Sequence, residues 1–349
     1  MSNPSRRRSL WRSLPLIADW VAWRNEVNLP HYRLAKPTQQ AAELPLYPID
    51  MFAALALPHG TLDEKGVPYN AQKGEHPACY QPTTIAHYAL AHWNAYVETA
   101  GEQHRQAFLT QANWLVEHAV QRDSEVSVWP IPFPSSSYHA PGPWLSAMTQ
   151  GNVISVLVRA YRLTGNEQFL RVAQRGVRPF EHDILDGGVS VFLGEDGVFF
   201  EEVAVYPAAH ILNGYLYALF GLYDYVALTN DSQINELIQR SLATLHSWID
   251  DYDTGYWSRY DLFNKHQAAL SYHALHILQL RVLAQLSGCA HCAALAARWE
   301  QYQRSSWSRF RHFGASRLWR YRRRLQRTFL KGSAPQVARP APVTAGDSR

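Results

Sequence analysis

The chain has 349 residues with 47% hydrophobic and 18% charged side chains, and its formal net charge is +4 at pH 7. These values are typical of a soluble globular protein with a substantial core, built as one large domain or two ordinary ones. Three cysteines argue against a secreted disulfide framework, and no segment is long and apolar enough to cross a membrane.

The first 82 residues contain few helical signals. We predict that residues 1–40 form a loosely attached N-terminal arm, and that residues 41–82, with their scattered Pro and Gly, form loops and short strands. Arg12 and Asp19 interrupt the apolar run that follows the first arginines, which argues against a cleaved signal peptide. We therefore expect a cytoplasmic protein.

A repeat of helical runs follows. Each run ends near a Gly or Asn that can adopt the left-handed conformation that closes a helix, at Gly101, Gly165, Asn230 and Gly288. Intervals of about 60 residues leave room for two helices and a connection. We predict a mainly α fold over residues 41–305, an (α/α) barrel or toroid of helical hairpins with an attached β-hairpin and short N-terminal strands.

Two segments interrupt the helical repeat. Residues 187–203 place β-branched and aromatic residues on both sides of a glycine turn and predict a β-hairpin. Glu201 and Glu202 lie at its end and should point to opposite faces of the strand. The prolines of residues 126–134 exclude a helix, and we predict an ordered loop that lines a cleft.

The C-terminal segment, residues 306–349, is strongly basic. Leu318, Tyr321, Leu325 and Phe329 share one face of a predicted helix, and arginines fill much of the rest. A basic amphipathic helix suits an anionic lipid surface or a polyanion, and the alternative is a solvated helix packed on the domain. Its residues beyond Gly332 are predicted to be disordered.

Cys289 and Cys292 have the spacing of a metal or redox motif. A zinc site of the usual kind needs a second pair of ligands at matching spacing, which the sequence lacks. A thioredoxin-like setting is also absent. We therefore interpret the pair as two small helix residues and predict no metal site.

Residues 252–276 hold a dense set of groups that can transfer protons. Tyrosine and histidine side chains can pass a proton, and Arg259 can neutralise a carboxylate. His273 and His276 share one helix face, and hydrogen bonding in a cleft explains them better than a metal site. This inventory suits removal of a proton next to an acid group, with Glu202 as a candidate general acid or base.

Six segments resemble the catalytic domain of the D-glucuronyl C5-epimerases, which convert D-glucuronate to L-iduronate within heparan-type chains. The segments keep the family's order and together imply an (α/α) barrel with attached strands. They are residues 80–90, 144–165, 199–202, 211–224, 252–262 and 271–280.

The resemblance implies roles for individual residues. It places the acid/base pair of that family on Glu202 and Tyr272, with Tyr260 as a third catalytic residue. The chain departs from the family at Val203, because a Tyr-Pro pair commonly follows the two glutamates directly. The nearest Tyr-Pro here begins at Tyr206.

The resulting hypothesis is inversion at C5 of uronate residues in an anionic polysaccharide. A base removes the C5 proton from one ring face, and an acid returns a proton to the other face. The chemistry needs no metal and no cofactor. The candidate substrate-binding residues are Tyr88, Trp144, Tyr206, His210, Arg259, His273 and His276.

Three alternatives stay open. A polysaccharide lyase shares the proton abstraction but then expels the C4 substituent, and a glycan-binding relative would have lost activity. A glycoside hydrolase would need a second carboxylate beside Glu202, for which Asp253 and Asp261 are candidates. We expect no nucleic-acid partner, and the basic tail suggests peripheral contact with the inner membrane surface. The sequence also leaves open whether the protein forms a homodimer.

Overall fold

A computed structural model describes residues 32–36, 44–57, 60–72 and 77–329, with side chains described up to residue 319. Most of the predicted N-terminal arm and the predicted disordered end lie outside the described residues. So do the side chains of Tyr321, Leu325 and Phe329, on which the proposed apolar face of the C-terminal helix partly depends.

Most of the described chain is helical, as the sequence predicted. The mainly α fold of helical hairpins with a small attached β-hairpin is confirmed. The helices are α1 Pro82–Thr99, α2 Glu102–Glu117, α3 Ala147–Thr164, α4 Glu167–Val177, α5 Leu212–Thr229, α6 Ser232–Trp248, α7 Leu270–Ser287, α8 Ala290–Arg304 and α9 Ser306–Phe329.

The strands are short and pair in sequence order as antiparallel hairpins. They are β1 Arg33–Leu34, β2 Ile49–Asp50, β3 Gly60–Leu62, β4 Pro68–Asn70, β5 Val120–Gln121, β6 Ser127–Val128, β7 Ser190–Leu193 and β8 Gly197–Phe200.

Helices α1 to α8 form four hairpins in which each odd-numbered helix pairs with the next even-numbered one. The odd-numbered helices α1, α3, α5 and α7 also contact one another in that order, and they form an inner row. Three helices end at a residue in the left-handed conformation, as predicted: Gly165, Asn230 and Gly288. At the first turn Ala100 takes that conformation instead, because Gly101 begins the next helix as its N-cap.

Helices α3 and α5 make the closest approach in the inner row. A Cβ atom on Gly151 would lie 2.6 Å from the Cα of Ala218, a distance that real Cβ atoms essentially never show. The absent side chain lets the two backbones pack directly against each other. Arg159 of α3 and Asp224 of α5 form a buried ion pair at 2.5 Å further along the same interface.

The loop of residues 126–134 is fixed to the inner row. Gln150 of α3 accepts the amide of Trp129 at 3.0 Å, and its own amide group donates to the carbonyls of Ser127 and Gly176. The loop is therefore ordered and non-helical, as its prolines predicted, with strand β6 at its start.

Cys289 and Cys292 correct one of the sequence predictions. Cys289 is the N-cap of α8 rather than an interior helix residue, and its sulfur is bonded to that of Cys292 in a disulfide. Two residues on the first turn of one helix are close enough for this bond, with Cα atoms 5.3 Å apart. Within the described residues, no helix is long and apolar enough to cross a bilayer.

Candidate active site

Strand β8 delivers two adjacent glutamates to different surroundings. Glu201 is fully buried, and its carboxylate accepts the backbone amides of Ala209 and His210 at 3.2 and 3.0 Å. The Nδ1 atom of His210 lies 2.6 Å from the same carboxylate, although the contact is not aligned as a hydrogen bond. Glu201 therefore anchors the chain that leaves the hairpin, and this frees Glu202 to face the other side.

Glu202 lies against the first turn of α5. Its Oε2 atom accepts the side-chain amide of Asn213 at 3.2 Å. A side chain on the neighbouring Gly214 would overlap Glu202, so glycine is what allows the carboxyl group to approach the helix. The Tyr260 hydroxyl interacts with the carboxyl group from a different element.

The surroundings of Glu202 favour its protonated form. Burial and the neighbouring charges of Glu201 and Asp261 raise its pKa, while hydrogen bonds from Asn213 and Tyr260 lower it. The net effect raises the pKa of Glu202 from 4.5 to about 8. A carboxyl group with a pKa near the working pH can both accept and donate a proton, as acid/base catalysis requires.

Tyr260 and Tyr272 extend this proton-transfer group. Their rings meet edge to face with centroids 4.9 Å apart, and their hydroxyl groups interact. Burial and the nearby Glu202 raise the pKa of both phenols. Because Tyr260 has a single hydroxyl proton and lies close to both Glu202 and Tyr272, it can link the two groups that the sequence predicted as the acid/base pair.

A buried hydrogen-bond network is centred on Asp261, the residue after Tyr260. Asp261 is fully buried, and it accepts the Tyr138 hydroxyl at 2.8 Å and two backbone amides of the following turn. Nδ1 of His266 lies 3.0 Å from the same carboxylate. Burial and Asp261 raise the pKa of Tyr138 well above its ordinary value. These contacts hold the backbone on which Tyr260 is mounted.

A cavity of about 650 Å³ opens beside the two tyrosines. Tyr260 and Tyr272 form part of its wall, Arg259 and Lys265 bring positive charge, and helix α9 closes one side. Glu202 is not on the cavity wall itself but lies next to Tyr260. The lining residues are Thr254, Tyr256, Arg259, Tyr260, Lys265, His266, Gln267, Ala269, Tyr272, Ala315, Ser316, Leu318 and Trp319.

Comparison with known proteins assigns the chain to a family. Residues 122–301 match the model of the D-glucuronyl C5-epimerase C-terminus, and this range contains Glu202, Tyr260 and Tyr272. The chain belongs to the D-glucuronyl C5-epimerase C-terminal family. It is 33% identical over 224 residues to the D-glucuronyl C5-epimerase of Caenorhabditis elegans, an alignment that covers 58% of this chain and 35% of the worm enzyme.

Two further similarities are weaker. An uncharacterized protein of Methanocaldococcus jannaschii is 27% identical over 194 residues, which cover 53% of this chain and 62% of the relative. The chain thus spans less than two thirds of either curated relative. A solved polysaccharide lyase is 16% identical with a TM-score of 0.44, over 70% of this chain and 66% of the lyase. That likeness is too distant to bear on the reaction.

Arg259 contributes a guanidinium group to the cavity wall. Its guanidinium group donates to the backbone carbonyls of Asp251 and Lys265, both at 3.0 Å. The two hydrogen bonds hold the side chain in place. Both partners are neutral carbonyl groups, so neither of them neutralises the positive charge. Arg259 is therefore a fixed cation on the cavity wall.

His273 and His276 lie behind the cavity rather than on its wall. Both are fully buried and share the hydroxyl group of Ser258, at 2.8 and 3.0 Å. His273 also contacts the backbone carbonyl of Trp299 on α8 at 3.1 Å. Burial lowers the pKa of both rings, that of His276 to about 3. The lowered pKa values favour neutral rings, and the hydrogen bonds of these rings join the wall segment to α7 and α8.

The other residues predicted to contact substrate lie outside the cavity wall. Tyr88 is buried on α1 with its ring against His92, and His210 packs against Phe199 and Trp248. Trp144 packs on the small cluster that contains Val203 and donates its indole N–H to the Phe133 carbonyl at 2.8 Å. None of these residues, and not Tyr206, lines the cavity described above.

Val203 occupies a buried apolar position next to the proton-transfer group. It packs with Tyr138, Ala209 and Ile211, and Tyr260 lies against the same cluster. Tyr206 is 70% exposed, so it does not fill the position of the tyrosine that is usual after the two glutamates. The ring of Tyr138, which comes from the loop after the proline-rich segment, packs in the same cluster as Val203.

Several site residues gave no clear signal in the sequence. Asn213 and His266 lie inside or beside segments that resemble the family, but their residue types are common in loops and helix starts. Asp261 was predicted only as a candidate second carboxylate of a glycoside hydrolase, and its hydrogen bond with Tyr138 was not predicted. Tyr138 follows the loop predicted to line a cleft, which is its only sequence signal. Trp319 belongs to the basic C-terminal segment, and only the folded structure shows its ring stacked on His266, with centroids 5.1 Å apart.

Proposed function

We propose that this protein inverts C5 of uronate residues within an anionic polysaccharide, as an epimerase. The observation that carries the proposal is the contact of Tyr260 with both Glu202 and Tyr272, beside a cavity that holds Arg259 and Lys265. These are the residues on which the family's acid/base chemistry would fall. Family membership supports epimerase chemistry, and the polymer and the reaction itself belong to the proposal.

The first step would break the C5–H bond of a bound uronate. The proton passes to the member of the pair that acts as the base, a role open to Glu202 because a pKa of about 8 leaves a fraction of its carboxyl group ionised near neutral pH. The electron pair of the broken bond delocalises into the adjacent carboxylate of the sugar. This places a second negative charge on a group that is already anionic, so the fixed charge of Arg259 and that of Lys265 would stabilise the intermediate. Partial exclusion of water from the cavity would strengthen both interactions.

The second step would return a proton to C5 from the opposite ring face. Glu202 and the phenol of Tyr272 come from different elements, the end of a hairpin and helix α7, and the proposal requires the sugar ring to reach Glu202, which lies next to Tyr260 and off the cavity wall. Tyr260 contacts both groups, and its hydroxyl would change hydrogen-bond partner as one group gains a proton and the other loses one. After turnover the pair has exchanged protonation states, and a relay through Tyr260 would restore them.

The same proton abstraction could lead to β-elimination, which makes a lyase the closest alternative. A glycoside hydrolase is less compatible with the geometry. Its second carboxylate would have to be Asp261 or Asp253, and Asp261 is fully buried with its oxygens engaged by Tyr138 and backbone amides. Asp253 accepts the Gly255 amide and contacts Arg298.

Product analysis distinguishes these reactions. The protein would be incubated with heparosan-, chondroitin- and alginate-like polymers, followed by size-exclusion chromatography, ultraviolet absorbance and NMR. An epimerase converts one uronate epimer to the other without change in chain length and without a new double bond. Shortened chains with an unsaturated uronate would identify a lyase, and binding of every polymer without conversion would identify an inactive glycan-binding relative.

We also propose that the start of α9 contacts an anionic membrane surface. Trp307 and Phe310 are 66% and 57% exposed and stack on each other, and Arg304 and Arg311 are exposed nearby. Aromatic rings beside cations suit the interface of a negatively charged bilayer. Replacement of both rings by serine should abolish sedimentation with phosphatidylserine vesicles and leave catalysis on soluble polymer intact. Equal sedimentation of the variant and the native protein would contradict the proposal.

A further inference from the structure

A second group of reactive side chains lies far from the active site. The Nε2 atom of His246, near the end of α6, is 3.1 Å from the Sγ atom of Cys289. Cys289 is the N-cap of α8 and Cys292 lies on its first turn, and the ligand atoms of the three residues are all within 4.8 Å of one another. Among the described residues this is a group of three potential metal ligands from two different helices.

The geometry of this group fits a single metal ion when the disulfide is reduced. Zinc lies about 2.3 Å from a thiolate sulfur and about 2.0 Å from an imidazole nitrogen, so its ligands lie within about 4 Å of one another. The Cα atoms of Cys289 and Cys292 are 5.3 Å apart, and side-chain rotation alone can separate the two sulfurs. His246 can approach by a similarly small movement.

The surroundings favour thiolates at this position. The Sγ atom of Cys289 accepts the backbone amide of Cys292 at 3.0 Å. The positive end of the α8 dipole also stabilises negative charge on the first turn. Both cysteines are buried while His246 is exposed, so a bound ion would have two sulfurs on its protein side and an open position toward solvent.

We propose that the dithiol form of this protein binds one zinc ion through Cys289, Cys292 and His246, with solvent as the fourth ligand. Two thiolates and one imidazole are a ligand set that zinc prefers, and the two thiols release their protons to solvent as the ion binds. The disulfide form has no thiolate to offer and does not bind. The site is thus present only under reducing conditions.

This site is separate from the proposed epimerase chemistry. Cys289 follows the C-terminal end of α7, whereas Tyr272 lies on its first turn. The length of an 18-residue helix, about 27 Å, therefore separates them. We infer a stabilising role, in which the ion links α6 to α8 across their adjacent ends.

Cobalt titration of the full chain tests the site directly. The protein would be reduced with a dithiol, which is itself converted to a disulfide, then desalted without oxygen and titrated with Co²⁺ and with Zn²⁺ against a chromophoric chelator. We expect one equivalent per chain, a thiolate-to-cobalt charge-transfer band, and the visible bands of a tetrahedral site. The oxidised protein should show neither band.

Single substitutions assign the ligands. C289S and C292S should each abolish tight metal binding and remove at least half of the charge-transfer band. H246A should lower the affinity for zinc about tenfold or more. The matched controls are C79S, which removes the cysteine outside the pair, and H291A, whose ring lies 3.3 Å from Asp250. Alkylation of the reduced native protein gives a second measurement if a cysteine variant fails to fold. Absence of tight binding by the reduced protein, or unchanged binding in H246A, would overturn the proposal.

Discussion

Glu201 and Glu202 follow strand β8 directly, yet the surroundings of their two carboxylates differ. Glu201 is fully buried and held by the Ala209 and His210 amides. Glu202 accepts one amide of Asn213 and meets the Tyr260 hydroxyl. A small number of hydrogen bonds does not compensate for the loss of water, and this is why the pKa of Glu202 rises to about 8.

Replacement of Glu202 by Gln tests its role in proton transfer. The amide keeps the size of the side chain but can neither accept nor release the C5 proton, so we expect C5 exchange to fall by about 100-fold or more. Tyr272→Phe should have a comparable effect. The matched control is Glu195→Gln, at an exposed position in the turn of the same hairpin. Retention of native activity by E202Q would remove Glu202 from the mechanism.

The raised pKa of Glu202 also predicts a pH dependence of stability. Between about pH 4.5 and about pH 8 the folded protein keeps a proton on Glu202 that the unfolded chain has released, so the free energy of unfolding falls as pH rises through this window. The E202Q variant has no titrating carboxyl group at this position, so its free energy of unfolding lacks this fall with pH. Because Glu202 is only half-buried, we expect E202Q to gain about 1–3 kcal/mol relative to the native protein between these limits.

Chemical denaturation at several pH values measures this difference. The two stability curves should diverge toward high pH, and Glu195→Gln should follow the native curve. Parallel curves for E202Q and the native protein would mean that the carboxyl group titrates near its ordinary pKa in the folded state.

At the scale of elements, helix α9 and the inner row determine the shape of the site. Trp319 stacks on His266, and Arg311 lies over the Tyr256 ring with its guanidinium carbon 3.9 Å from the centroid. His312 contacts the side chain of Gln267 at 2.9 Å. These contacts join α9 to the segment that carries Arg259 and Tyr260, so α9 forms one wall of the cavity.

Trp319→Ala should therefore weaken substrate binding without changing the chemistry. Loss of one aromatic contact is worth about 0.5–1.5 kcal/mol, which corresponds to a rise in KM of about 2- to 13-fold with kcat nearly unchanged. Trp307→Ala is the matched control, since that ring is on the same helix but 66% exposed and away from the cavity lining. Equal KM values for the two variants would show that α9 does not contact substrate.

The contact of α3 with α5 predicts a stability effect at Gly151. An added methyl group would meet the backbone of Ala218, so we expect Gly151→Ala to lose about 1–3 kcal/mol in chemical denaturation. Gly314→Ala on α9 is the control, because a Cβ atom there meets nothing within 4 Å. A Gly151→Ala variant as stable as the control would show that the two helices do not pack directly.

The elements that the sequence predicted are those specified by local signals. Gly165, Asn230 and Gly288 close helices through their own conformational preferences, and residues 187–203 carry a turn between two apolar strands. The Cys289–Cys292 disulfide and the stacking of Trp319 on His266 depend on how separate side chains meet in space. Neither spacing nor periodicity encodes those contacts.

The candidate site divides in the same way. Glu202, Tyr260 and Tyr272 were predicted because three segments resemble a family whose motifs are specific, and the structure brings them together. His273 and His276 were predicted on the same helix face as substrate contacts, but both rings point to Ser258 inside the core. The direction of a helix face relative to the cavity is a property of packing, which the sequence alone does not give.

At the scale of the whole molecule, the account makes one central claim. We propose that a chain of helical hairpins in the D-glucuronyl C5-epimerase C-terminal family places two tyrosines on the wall of a cationic cavity, with a hairpin glutamate next to one of them, and that this arrangement exchanges the C5 proton of a polymeric uronate.

Solvent exchange at C5 tests this claim most directly. The native protein would be incubated with each uronate polymer in heavy water, and C5 would be followed by NMR together with the chain length of the product. The account predicts deuterium at C5 in chains of unchanged length, lost in E202Q and kept in Glu195→Gln. Bound polymer with no deuterium at C5, for every uronate polymer tested, would contradict it.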